Sequence, residues 1–128
     1  MYNKDDLLTD LKKAGISNRV SHDYGCGTVI ELDLQPKYMF YVAQSNISPC
    51  FFNATKNVID ALVSDNKDFA LVLMDTQNNQ LYIYDVKQAL NLLSHVSYEK
   101  TYNNYRINKK DLFNPIDYET FYEFLTTL

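Results

Sequence analysis

Residues 27–34 alternate, with Val29, Glu31 and Asp33 on one side and Ile30, Leu32 and Leu34 on the other. A two-residue period predicts a half-buried strand. After the turn Gln35-Pro36-Lys37, the run 38–45 predicts the return strand of a hairpin, followed by a loop, "NISPCFF". Residues 69–75, "FALVLMD", are apolar almost throughout, as in a strand covered on both faces. The turn "TQNNQ" hands that strand to a partner, "LYIYD", and "NYRIN" predicts a last strand further on.

Elsewhere the spacing becomes helical. Asn3 can cap a first helix, with Asp5 and Asp6 in its favourable first turn and Leu7, Leu11 and Ala14 on one face. Gly15 is a natural stop. A second helix over 53–64 presents Val58, Ile59, Leu62 and Val63, and a third over 86–94 turns Ala89, Leu90 and Leu93 inward. Pro115 and Asp117 start a last helix with Phe121, Phe124, Leu125 and Leu128 toward the core. The predicted order is α-β-β-α-β-β-α-β-α: an α+β, or mixed α/β, arrangement in a single compact domain spanning 1–128.

Composition fits that reading. A chain of 128 residues can build one core and not two, and 46% hydrophobic against 22% charged residues places it with globular domains. Cys26 and Cys50 lack a CxxC spacing or nearby histidines, so neither a disulfide framework nor a zinc site is expected. No apolar run approaches membrane-spanning length and the N-terminus is acidic, so the expectation is a cytoplasmic protein with no membrane partner.

Charge changes the picture more. The net value of −4 excludes a dominating positive field and tight non-specific binding to nucleic acid. Its distribution is uneven, however: residues 87–110 hold five bases and one acid, while 111–128 hold four acids and no base. Nucleic acid could therefore engage 87–110. That segment interleaves Tyr98, Tyr102 and Tyr105 with Lys100, Arg106, Lys109 and Lys110. Tyrosines can stack on bases while cations neutralise phosphates. The same pattern also suits an edge strand whose lysines discourage aggregation, and that reading is preferred. His22-Asp23 beside Cys26, and the glycines of "YGCGTV", fit no complete catalytic or phosphate-cradling motif.

The most suggestive chemistry is Asp68…Asp85-Val86-Lys87. Two carboxylates can hold Mg²⁺ through hard oxygen ligands, and the metal activates a water while a lysine stabilises charge nearby. The run "DFALVLMDTQNNQLYIYDVK" resembles the PD-(D/E)XK nuclease superfamily, which includes restriction enzymes and Holliday junction resolvases. On that resemblance Asp68 and Asp85 are the catalytic, metal-binding acids and Lys87 completes the D-x-K half. The family core has αβββαβ order, which a second threading follows better. It uses the first helix, the hairpin 27–34 and 38–45, the helix 53–64 and the strand 69–75. Its acid is Asp33, with Glu31 nearby, and its (D/E)-x-K position holds Val42-Ala43-Gln44, which implies an inert site. Against both stands the bland reading, in which Asp85 caps the helix that follows and Asp68 is a turn residue.

Two functional expectations follow. The first is a non-enzymatic protein-binding module without a cofactor. Tyr98, Tyr102, Tyr105, Arg106, Lys109 and Lys110 are its contact residues, because tyrosine suits interface anchors. In texture it resembles phage or mobile-element inhibitors of anti-CRISPR or anti-restriction type, whose partner is a nuclease or other nucleic-acid enzyme. The alternative is a small Mg²⁺-dependent nuclease of PD-(D/E)XK type.

Overall fold

The structure, a computed structural model, describes residues 2–24 and 28–128. Its elements in chain order are α1 (Lys4–Lys13), β1 (Asn18–Ser21), β2 (Val29–Leu32), β3 (Tyr38–Ser45), β4 (Phe51–Thr55) and α2 (Lys56–Ser64). There follow β5 (Asp68–Asp75), β6 (Gln80–Tyr84), α3 (Val86–Leu93), β7 (Ser97–Glu99), β8 (Asn104–Asn108), a single 3-10 turn and α4 (Tyr118–Thr126). Every predicted helix is present. β1, β4 and β7 are additional, and the stretch read as the start of a helix over 53–64 spends its first residues in β4.

β1, β2, β3, β5 and β6 form one sheet in that order. β1 to β3 are an antiparallel meander, whereas β3 and β5 run parallel, with Tyr38 beside Asp68 and Ser45 beside Asp75. A parallel pair needs a crossover, and α2 lies within it. β5 is flanked by β3 and β6 and is buried from Phe69 to Asp75, so its unbroken apolar run reflects cover on both faces.

Alternation along the strands divides the core in two. Ile30, Leu32, Phe40, Val42, Ala70, Val72 and Met74 meet Leu7 and Leu11 of α1 and Phe121 and Leu125 of α4. Val29, Met39, Tyr41, Phe69, Leu71 and Leu73 point the other way, onto α2, α3 and the second sheet. That second sheet has the order β4-β8-β7, and its Phe52, Ala54 and Ile107 join this side of the core.

Several sequence expectations change here. "NYRIN" is not an edge strand: β8 lies between β4 and β7, because residues 51–55 supply the strand that shields it. Val63 and Leu90 face solvent at 41% and 40% exposure, each just outside the buried stripe of its helix, and Leu92 replaces Leu90 in the core. Leu128 is partly exposed beyond the end of α4. Asn3 caps α1 through a reciprocal pair with Asp6, as its position predicted, and Gly15 (φ 78°) takes the left-handed turn after the helix. Gly25, Cys26 and Gly27 lie outside the described residues.

Candidate functional site

Two places compete, one on the β2–β3 hairpin of the main sheet and one on the β5–β6 hairpin. The first lies at the end of β3. α1 comes down on this end because Asn3 caps it and because the Lys4 N–H donates to Gln44 Oε1. The Val42 N–H donates to the Thr28 carbonyl at 2.8 Å, extending the β2–β3 pairing by one step. β4 returns beside it, fixed by the Thr55 N–H donating to the Tyr41 hydroxyl at 2.8 Å and the Phe51 N–H donating to Ser45 Oγ at 3.1 Å. The result is a groove of about 340 Å³ lined by Lys4, Thr28, Tyr41, Gln44, Asn53 and Thr55, with Val42, Ala43 and Phe51.

Its outer wall continues onto the second sheet. Phe51, Asn53 and Thr55 stand opposite Asn108, Arg106 and Asn104 of β8, and Arg106 stands opposite Ser97 of β7. Side chains directly opposite share a face, so amides and hydroxyls lead from the groove to the Arg106 guanidinium.

The threading that assigned Val42-Ala43-Gln44 to the (D/E)-x-K position puts it on β3 beside this groove and its acid elsewhere. Asp33 follows β2 at its far end, beyond the Leu32–Tyr38 pair, while Thr28 is the β2-side neighbour of Val42. Glu31 is buried and accepts from Arg19 and Lys37, each at 3.0 Å. The hydrogen bond from Lys37, with that from Arg19, holds its carboxyl below the usual range despite burial. This makes Glu31 a structural anion that ties β1 and the β2–β3 turn together.

The second place is the open end of the β5–β6 hairpin. Leu71 pairs with Tyr84, so Asp68, which opens β5, and Asp85, which follows β6, lie at the same end. Both are exposed, and both carboxylates act on the Tyr38 phenol, which burial chiefly, and then these charges, push up to about 12. Asp85 also caps α3: Oδ1 accepts from the Gln88 N–H at 2.8 Å and Gln88 Oε1 accepts from the Asp85 N–H at 3.1 Å. Lys87 is exposed on the first turn of α3. The capping reading of Asp85 is therefore correct, and it leaves Oδ2 for other work.

A divalent cation would find these places unequal. The β3 groove offers hydroxyl and amide oxygens and no carboxylate among its lining residues, so it does not fit Mg²⁺. Asp68 and Asp85 fit by donor type, since Mg²⁺ is commonly held by one or two carboxylates with substrate phosphates completing its shell. Among the described residues no group of three or more His, Cys, Asp or Glu is arranged to hold a metal.

Of the predicted contact residues, Tyr98, Tyr102, Arg106, Lys109 and Lys110 are exposed. Tyr105 is half-buried against the core and packs on Tyr98 with the rings tilted by 54° and their centroids 5.7 Å apart. Lys109 and Lys110 border a separate cavity of about 590 Å³ with Pro49, Cys50, Phe51 and Asn108. Sequence reasoning missed the β3 groove, whose polar lining comes from residues far apart in the chain and follows no motif. It also missed Asp75, a carboxylate only 1% exposed that closes β5 and accepts from the Asn78 side chain at 2.9 Å. Burial, then the Asp75 charge, pushes the nearby Cys50 thiol up to about 11, so Cys50 is an inert core thiol. His22 and Asp23 are exposed, and their proposed partner Cys26 is outside the described residues.

No family model matches the chain, and no curated protein matches its sequence. Among solved structures, Hjc, a Holliday junction resolvase from Archaeoglobus fulgidus, shares the fold with a TM-score of 0.54. The match covers 94% of this chain and 92% of that one at 14% identity. The fold is thus nuclease-like, as the PD-(D/E)XK resemblance implied, and the identity is low enough that fold is all the likeness carries. It overturns the expectation of a protein-binding inhibitor of anti-CRISPR or anti-restriction type. No helix among the described residues is long and apolar enough to cross a membrane.

Proposed function

We propose that this chain is a nucleic-acid-acting domain built on a PD-(D/E)XK-type fold, and that it engages its substrate across the β3 groove and the β4–β8–β7 face. The nuclease-like architecture carries this reading, because it spans nearly the whole chain and not one motif. The character of the surface supports it. Gln44, Asn53 and Thr55 offer neutral hydrogen-bonding groups for sugar and base edges, and Arg106, Lys109 and Lys110 offer cations for phosphates. Among the described residues the ion pairs are Arg19–Asp23, Arg19–Glu31, Lys37–Glu31 and Lys56–Asp60, so none of those three cations is spent on a carboxylate.

Mg²⁺-dependent cleavage by Asp68 and Asp85, with Lys87 beside the attacking water, is a second reading. The clustering of both acids at one end of the β5–β6 hairpin, over Tyr38, favours it. The site would bind the ion through Asp68 and the free oxygen of Asp85, and the ion would supply Lewis-acid activation of water.

Fluorescence anisotropy with labelled single strands, duplexes and four-way junctions tests the first reading. Binding to at least one of them should weaken steeply as salt rises, as counterion release requires. No binding at low salt removes the proposal. Incubating the same substrates with Mg²⁺ tests the second. Cleavage abolished by Asp85→Asn supports it, and intact substrate or unaffected cleavage removes it.

A further inference from the structure

The turn between β7 and β8 displays Tyr102 at 73% exposure, far more than any other large apolar side chain among the described residues. Exposure alone would be ordinary, but this turn is built to hold its shape. The Glu99 carboxylate accepts the N–H groups of Thr101 and Tyr102 at 2.8 and 2.7 Å. Asn103 takes a left-handed conformation at φ 56°, which asparagine tolerates well. Its side chain bonds the Tyr98 hydroxyl and the Asn57 amide, and its carbonyl accepts the Lys56 N–H at 2.9 Å. The tip is thereby tied both to its own hairpin and to the start of α2. An aromatic ring is being presented on a rigid mount, where ordering costs little on binding.

Charge indicates what the ring meets. Glu99 is the only acid between Lys87 and Lys110, and both of its oxygens are occupied by the turn's own N–H groups. Lys100 sits beside the tip, and Arg106, Lys109 and Lys110 follow along and after β8, while the rest of the chain is strongly acidic. With five bases to one acid, residues 87–110 are the part of the chain whose charge suits a polyanion. A polyanion that also rewards an exposed aromatic ring is a nucleic acid with an accessible base.

We infer that Tyr102 is a stacking residue for an unpaired base, so that this hairpin tip reads single-stranded character in the substrate. The inference rests on the nucleic-acid reading above and deepens it. In a fully paired duplex the base faces are covered by their neighbours, and the tip contributes only through its cations. In a single strand or at a branch the Tyr102 ring gains a face-to-face partner.

The test compares wild type, Tyr102→Ala and Tyr102→Trp on a labelled oligothymidine and on a blunt duplex. Tyr102→Ala should bind oligothymidine roughly five- to a hundredfold more weakly and the duplex within about twofold of wild type, the range expected for one stacked base. Tyr102→Trp should keep its affinity. The chain contains no tryptophan, so its emission reports on this position alone and should be quenched on adding oligothymidine. If wild type binds and Tyr102→Ala binds oligothymidine equally well, or loses both ligands equally, the stacking role is overturned and the nucleic-acid reading stands. If wild type binds neither ligand, both fall together.

Discussion

Two hairpins of the main sheet, β2–β3 and β5–β6, divide between them the polar groove and the paired acids. β2–β3 has α1 against one end and a polar groove opening there. Its (D/E)-x-K position reads Val42-Ala43-Gln44, and Glu31 is engaged by Arg19 and Lys37. β5–β6 carries Asp68 at the start of β5 and Asp85 and Lys87 at the exposed start of α3. A three-residue motif can arise from the chemistry of capping, because Asp is favoured at an N-cap wherever a strand turns into a helix. The order of strands cannot arise so cheaply. Here the architecture identifies the fold, and Asp85 of the motif is seen to cap a helix.

The strongest way to break both hairpins at once is through β5, which belongs to one and pairs with β3 of the other. Leu71 on β5 is fully buried between β3 and β6. Leu71→Ala should cost about 2–5 kcal/mol, from lost burial plus the cavity left behind. Urea unfolding followed by circular dichroism would measure it, and a loss under about 1 kcal/mol would mean that β5 is not the packed centre described.

Asp85 separates the cap from the catalyst. Asp85→Ala should lower stability by about 1 kcal/mol because the Gln88 N–H loses its acceptor. Asp85→Asn should melt close to wild type, since asparagine caps as well as aspartate, yet it removes a carboxylate from any metal. Equal melting points for the Ala and Asn variants would show that the cap contributes nothing measurable.

Glu31 gives the β2–β3 hairpin its own signature in acid. Its carboxyl is held below the usual value of 4.5, chiefly by the hydrogen bond from Lys37. The folded state therefore binds this proton less readily than the unfolded chain. The stability it contributes is fully present above about pH 4.5 and is lost as pH falls through the lowered folded value. Glu31→Gln should cost about 1 kcal/mol or less at neutral pH, because both partners are largely exposed, and should flatten the acid limb of the stability curve. Thermal melts from pH 7 to 3 would show it, and an unchanged acid limb would mean that Glu31 is not held in its charged form.

How much of this could be read from the sequence depends on the range of the interactions. The caps at Asn3, Asp85 and Asp117 were legible because a capping side chain and its N–H groups sit within a few residues. The double cover of β5 was legible from "FALVLMD". β4 was not: "FFNAT" becomes a strand because Ile107 and its neighbours on β8 are there to pair with it, some fifty residues away. Val63 and Leu90 were misplaced because a helix with apolar residues on adjacent positions does not declare which edge of the stripe the core will use. The groove was hidden for the same reason as β4. Lys4, Thr28, Gln44 and Asn53 meet only through the Lys4–Gln44 hydrogen bond, the antiparallel pairing of β2 with β3 and the return of β4.

Lys87 offers the smallest expected change in stability and the cleanest decision about the β5–β6 hairpin. It is exposed on the first turn of α3, in none of the ion pairs among the described residues, and its removal leaves the Asp85–Gln88 cap intact. A cation near a helix N-terminus opposes the dipole, so nothing local favours keeping it there. Lys87→Ala should therefore melt within about 0.5 kcal/mol of wild type, with either sign. Any larger effect on metal-dependent cleavage must then come from chemistry, because the fold has not been disturbed. If cleavage is present and survives Lys87→Ala unchanged, Lys87 takes no part in the chemistry and is only a residue of the first turn of a capped helix.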